Sequence, residues 1–241
     1  MISEKLKEQL GDWTCLYPFF ESPEWAKIKE SIKPDFSKTT PELDVWFKAF
    51  KECKFSDLKV VFLGLSPYFT KDSYTKENVA DGLAFSTSTR NNVPASLFQL
   101  YKGLEWDLWK GMNLNMNRTN NLTFLANQGV LLLNSALTTT YGKPDTHLEI
   151  WRPFIDFVFK VLSKQKPNVI VVAFGKVAQE VVVSNFKNDF IIQVEHPAAS
   201  AYQSRNWEHS NMFSKINKVL EERNTPIVWD EYYLTLEPAP F

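Results

Sequence analysis

Four short runs of nearly uninterrupted apolar residues constrain this chain more than anything else in it. They are KVVFLG (59–64), GVLLLN (129–134), NVIVVAFG (168–175) and FIIQVEH (190–196). Each is apolar at successive positions rather than alternate ones, as a strand buried on both faces must be. Between them lie helical patterns. In WRPFIDFVFKVL (151–162), Phe154, Ile155, Phe157, Val158, Val161 and Leu162 share one face at helical spacing. Pro153 is placed in that helix's first turn, where its missing N–H costs nothing. PASLFQLYKGLEWDLW (94–109) and NMFSKINKVLEER (211–223) read the same way. Strands alternating with helices predict an α/β fold: an open, mostly parallel four-stranded sheet with helices on both faces. No repeat or Gly/Ser linker interrupts the 241 residues, so a single domain over 1–241 is expected.

Composition narrows the function classes. A hydrophobic fraction of 44% and an aromatic fraction of 15% supply a buried core and argue against disorder. The formal net charge of −1 creates no global basic field, so a nucleic-acid site would have to be local. Cys15 and Cys53 are the only cysteines and belong to no metal-spaced cluster. Neither a disulfide framework, a metal nor another cofactor is expected. The N-terminal MISEKLKEQLGDW is charged and lacks the apolar stretch of a secretory signal, and no apolar run reaches membrane-span length. The expectation is a monomer without membrane contact in the cytoplasm, or in the host-cell cytoplasm for a viral protein.

The ends of the four runs carry the chemistry. The first reaches Gly64 and then Ser66-Pro67-Tyr68, the second ends at Asn134, the third at Gly175 and the fourth at His196-Pro197. Ligands of open α/β sheets bind beyond the carboxyl ends of the strands. Ser66, Tyr68, Asn134 and His196 should therefore converge although they span over 130 positions. Each also has a plainer reading. Phe85 can be core, Asn134 a turn cap, His196 a satisfied loop histidine and Tyr68 an ordinary turn aromatic.

At these residues the chain resembles the family 1 uracil-DNA glycosylases. GLSPYF (64–69) is similar to that family's G-Q-D-P-Y-H, GLAFS (82–86) to G-L-[AC]-F-S, VPASL (93–97) to P-P-S-L, LLLNSALT (131–138) to L-L-L-N-x-x-L-T and HPAAS (196–200) to H-P-S-P-L-S. WRPFIDFVF resembles W-E-x-F-T-D, and PIVWDEY resembles the closing P-I-x-W. The likeness runs in order from about residue 15 to about residue 232. It implies an enzyme that takes a base out of the stack and reads its edge in a pocket. Asn134 would both donate to and accept from uracil, Phe85 would stack on the ring, and Tyr68 would exclude the thymine methyl. The N–H groups of Leu65 and Ser66 would reach O2, where a neutral His196 would stabilise developing charge. Ser96 and Ser200 would touch phosphate through their hydroxyls.

Four departures from the family pattern bear on activity. Ser66 stands where the family has an activating Asp; a hydroxyl can orient water but brings no charge. The His of the first motif is Phe69. The segment before GLAFS is longer than the family's and holds Asp72, Glu77 and Asp81. Asp81, beside the Gly82 turn, is the acid expected to replace the missing carboxylate. HPAAS is one residue short and has lost the Leu that wedges into the duplex, which favours single-stranded or destabilised DNA. Lys71, Lys76, Arg90, Lys143, Arg205, His209 and Lys215 supply local positive charge, and Trp207 could stack on a base beside Arg205. The sequence thus points to a DNA glycosylase for uracil or a related base. A catalytically impaired DNA-binding or replication-accessory protein on the same fold is the alternative. A glycosylase for a modified pyrimidine is a third reading, disfavoured by Tyr68.

Overall fold

The computed structural model describes residues 2–89, 93–110, 119–202 and 210–234, with the backbone alone at 200–202, 232 and 233. Its centre is a sheet of strands β1 (Val60–Gly64), β2 (Val130–Asn134), β3 (Ile170–Phe174) and β4 (Ile191–Val194). Their spatial order is β2-β1-β3-β4, and every neighbouring pair is parallel. All residues of β1, β2 and β3 are buried. The edge strand β4 departs from the expectation: Ile191 and Ile192 are half-buried and Gln193 is exposed, because β4 pairs on one side only.

Helices α1 (Ala95–Trp109), α2 (Leu148–Gln165), α3 (Gly175–Asn185), α4 (Pro197–Tyr202) and α5 (Met212–Glu221) follow the strands. The chain steps from β1 outward to β2, then crosses back over β1 to β3. With right-handed crossovers, that reversal puts the connecting helices on opposite faces. It also leaves a crevice at the carboxyl ends of β1 and β3, the switch point where ligands bind in such sheets.

Helix α2 begins earlier than the sequence suggested. The Trp151 N–H already bonds to the His147 carbonyl at 3.0 Å, so the first turn is 148–151 and Pro153 lies inside the helix. The proline removes the bond to the Glu149 carbonyl, and Glu149 is exposed, so water can serve that oxygen instead.

An N-terminal helical layer adjoins α2: helix Pro23–Ile32 packs against it, and helix Glu4–Leu10 packs against helix Lys48–Glu52. The layer packs aromatic rings edge-on, the geometry their quadrupoles favour. Phe154 is fully buried among Phe19 (5.1 Å between centroids), Phe20 (5.6 Å), Phe47 (5.9 Å) and Phe50 (5.8 Å). Trp151 beside it donates Nε1–H to Thr138 Oγ1 at 2.7 Å, which ties this aromatic layer to the loop after β2. No helix among the described residues is long and apolar enough to cross a membrane. Truncating Phe154→Ala should lower unfolding free energy by about 3–5 kcal/mol, read as a shift of the urea midpoint with unchanged m-value.

Candidate active site

The loops leaving β1, β2 and β4 enclose a cavity of about 410 Å³. Leu65, Ser66, Tyr68, Phe85, Ser96, Asn134 and His196 all line it, together with Phe69, Pro144, Asp145 and Ala198. The convergence expected from the strand ends is thus what the fold produces.

Register makes the first contact. Gly64 ends β1 directly opposite Asn134, the last residue of β2. A Cβ on Gly64 would stand 2.6 Å from Asn134 Oδ1, so only glycine lets the amide lie across the strand end. Asn134 is 8% exposed, yet its side-chain amide has no hydrogen-bond partner among the described residues. A nearly buried amide left open towards a cavity is costly unless a ligand completes it. The neighbouring loops are pinned: Ser135 N–H and Oγ–H both donate to the Gly64 carbonyl (3.0 and 2.8 Å), and Ala136 N–H donates to the Leu65 carbonyl (3.1 Å).

Tyr68 and Phe85 form one rigid unit. The Tyr68 hydroxyl donates to the Phe85 carbonyl at 2.9 Å and shares a 3.0 Å hydrogen bond with Ser96 Oγ. Burial raises the Tyr68 phenol well above its ordinary range, so the ring stays neutral. Phe85 adopts a left-handed backbone (φ 66°), an uncommon conformation for a bulky residue. Its ring lies edge-on to Phe174 at 4.8 Å and 5.7 Å from the His196 ring.

Asp81 holds that turn together and does not line the cavity. Its carboxylate accepts from Leu83 N–H (3.1 Å) and Ser86 Oγ–H (2.7 Å) and pairs with Lys48 Nζ at 3.3 Å, all in a buried setting. Asp72 is occupied by the N–H groups of Tyr74 and Thr75 (2.8 and 2.9 Å) in its own turn, and Glu77 is exposed. None of the three loop acids reaches back, because the inserted segment folds on itself: Asp72 N–H bonds to the Glu77 carbonyl at 2.8 Å. The acid that does reach the cavity is Asp145. The Ser66 hydroxyl donates to Asp145 Oδ1. Its position had a readable signal: it lies in the loop just after β2, among the strand ends that the topology gathers.

His196 is set by its backbone. The Ala198 N–H donates to His196 Nδ1 at 3.2 Å, which leaves the proton on Nε2. Burial lowers its pKa below the ordinary value, partly offset by the nearby negative charge of Asp145. The ring is therefore a neutral Nε2–H donor at pH 7, in a cavity with an open amide, an aromatic face and a carboxylate. Ser200 lies in α4, where only the backbone is described, and Arg90, Arg205, Trp207 and His209 lie outside the described residues. Lys71 and Lys143 are exposed, Lys71 standing 5.5 Å above the Tyr141 ring. Among the described residues no group of three or more His, Cys, Asp or Glu could hold a metal ion.

Comparison with known proteins points to one family. Residues 50–221 match the family model of the uracil DNA glycosylase superfamily. The chain is 38% identical over 207 residues to a uracil-DNA glycosylase of Buchnera aphidicola subsp. Acyrthosiphon pisum, covering 84% of this chain and 86% of that one. A uracil-DNA glycosylase of Borrelia turicatae is 33% identical over 226 residues, covering 92% and 95%. Among solved structures, the mimivirus uracil-DNA glycosylase superposes with a TM-score of 0.81 over 93% of this chain and 89% of its own, at 23% identity, a likeness of fold.

Two outcomes follow from the geometry alone. Gly64→Ala should cost about 1–3 kcal/mol of stability through overpacking and shift the Asn134 side-chain amide resonances in NMR spectra. A histidine titration by NMR should show His196 as the Nε2–H tautomer with a midpoint below 6.5; a midpoint at or above that value contradicts the assignment.

Proposed function

The chain belongs to the uracil-DNA glycosylase superfamily, and from that premise we infer that it excises uracil from DNA by hydrolysing the N-glycosidic bond, as a step of DNA repair. The observation that carries the reading is the unpartnered Asn134 amide facing the cavity beside Phe85. A flipped uracil offers N3–H to an amide oxygen and O4 to an amide N–H, which completes both halves of that group. Phe85 supplies a face for the ring to stack on. Tyr68, held by the Phe85 carbonyl and Ser96, is fixed in place and can crowd carbon 5, which admits uracil and excludes the thymine methyl. As the bond breaks, charge gathers on the base. The Nε2–H of His196 and the backbone N–H groups of Leu65 and Ser66 are suited to meet it at O2.

The reading extends to substrate form. Where the family places an apolar wedge, this chain has HPAAS, with Ala198 at the cavity wall. A methyl group cannot fill the gap left by an extruded base, so single-stranded or already destabilised DNA is the favoured substrate. Ser200 is assigned to phosphate and Arg205 with Trp207 to the strand alongside, whereas Ser96, also expected at phosphate, has its hydroxyl proton committed to Tyr68. The protein is taken to act as a monomer built of one domain, in the cytoplasm of its cell or host.

Single-turnover assays with protein in excess over a labelled single strand carrying one uracil test this directly. Wild type should release uracil, and faster from the single strand than from a matched duplex. Asn134→Ala and His196→Ala should each lose roughly 10²–10³ in rate. Wild-type protein that binds the strand but releases no base would instead be a DNA-binding protein on this fold.

A further inference from the structure

We propose that Asp145 is the anionic partner of this site and that Ser66 is its proton relay, the pair replacing the single Asp that the family carries at the position of Ser66. The inference rests on the uracil-excision reading and adds the residue that reading lacks.

The geometry that points to it begins with the Ser66 hydroxyl, which donates its proton to Asp145 Oδ1. A serine side chain is one atom shorter than an aspartate, and the Asp145 carboxylate begins where the Ser66 hydroxyl ends. With its proton committed to Asp145, Ser66 Oγ is left as an acceptor on the wall of the cavity that both residues line. A water there can donate to Ser66 and present a lone pair to the sugar.

The contrast with Asp81 shows that the charge on Asp145 is available. Asp81 is neutralised by Lys48 Nζ at 3.3 Å. Asp145 forms no ion pair among the described residues, and it is half-buried rather than exposed. A carboxylate without a counter-cation at a cavity wall favours positive charge developing nearby. His196 lies close enough that Asp145 acts on its protonation, so one field spans the sugar and base sides of the cavity.

The loop is built to hold this carboxylate. Asp145 sits in the left-handed region (φ 60°), which aspartate enters more readily than most non-glycine residues. Gly142 N–H donates to the Phe69 carbonyl at 2.8 Å, clamping the Asp145 loop to the Ser66 loop. Thr146 Oγ1 accepts from Thr140 N–H at 2.9 Å and closes the base of the turn. Supporting bonds of this kind fix a reacting group to the precision that catalysis needs.

The step balances as a hydrolysis. The C1′–N1 bond breaks and its electron pair leaves with the base as an N1 anion. Water oxygen forms the new bond to C1′. One water proton passes to Ser66 Oγ as the Ser66 proton moves to Asp145, and the other remains on the new C1′ hydroxyl. Asp145 returns its proton through solvent to the departing anion. The products are free uracil and an abasic deoxyribose.

The test is a set of single-turnover rates and strand affinities on the uracil-containing single strand, for wild type, Asp145→Asn, Ser66→Asp/Asp145→Asn and, as a charge control, Glu77→Gln. Asp145→Asn should slow release at least about 100-fold, equivalent to about 2.7 kcal/mol, with strand affinity within about threefold of wild type. The double variant, which moves the carboxylate to the family position, should recover most of that rate, and Glu77→Gln should match wild type. Rescue is the readout that a merely structural Asp145 would not give. An active wild type with Asp145→Asn within threefold of it overturns this proposal alone, as does a loss that the double variant fails to restore. An inert wild type overturns the uracil-excision reading and this inference together.

Discussion

The parallel pairing of β1 with both of its neighbours is the constraint on which the rest depends. It puts the carboxyl ends of β1 and β2 in register, Gly64 opposite Asn134 and Leu63 opposite Leu133, so the loops that follow rise from one edge. Because β1 is paired on both sides and buried on both faces, it cannot slide without breaking two ladders and exposing an apolar strand. The missing side chain at Gly64 then makes room for the Asn134 amide. Hydrogen bonds from Ser135 and Ala136 back to Gly64 and Leu65 transmit that register into the loops. A rigid sheet thus positions a site whose parts come from segments far apart in the chain.

Two aspartates near this edge show how surroundings divide similar side chains into different tasks. Asp81 is buried, paired with Lys48 and bonded by a backbone N–H and a hydroxyl, and it shapes the turn that carries Phe85. Its ion pair belongs to the fold: removing one partner would strand a buried charge. Asp145 has a hydroxyl as its partner and a cavity beside it, so its charge acts on whatever occupies that space. The inserted segment from Lys71 to Asn78, which looked like a source of a replacement acid, closes on itself through a single antiparallel bridge and does not line the cavity.

The aromatic layer contributes at a distance. Trp151 and Phe154 anchor α2 to the N-terminal helices, and the Trp151 indole N–H holds Thr138. Thr138 Oγ1 in turn shares a 2.8 Å bond with His147 Nδ1. Since burial lowers the His147 pKa, this ring is neutral at pH 7. The loop bearing Asp145 therefore grows from a packed, hydrogen-bonded base.

Much of this was legible in the residue order. Strand runs such as VVFLG and VLLLN must be buried because they are apolar at successive positions, and their alternation with amphipathic helices leaves few topologies open. That logic alone brings Ser66, Tyr68, Asn134 and His196 to one edge, and the motif likeness adds Phe85. The edge exposure of β4 and the early start of α2 were not legible, because pairing partners and the network around His147 are not local properties. Nor was the identity of the useful acid. Asp72, Glu77, Asp81 and Asp145 are alike as letters in loops, and proximity in sequence favoured Asp81. What separates them is which carboxylate meets a lysine and which meets the Ser66 hydroxyl, contacts made across 33 and 79 positions. Sequence determined the sheet, its buried strands and the residues at their ends, since these follow from local hydrophobic pattern. Tertiary structure decided where the negative charge of the site stands, because an electrostatic partner is chosen by distance in space.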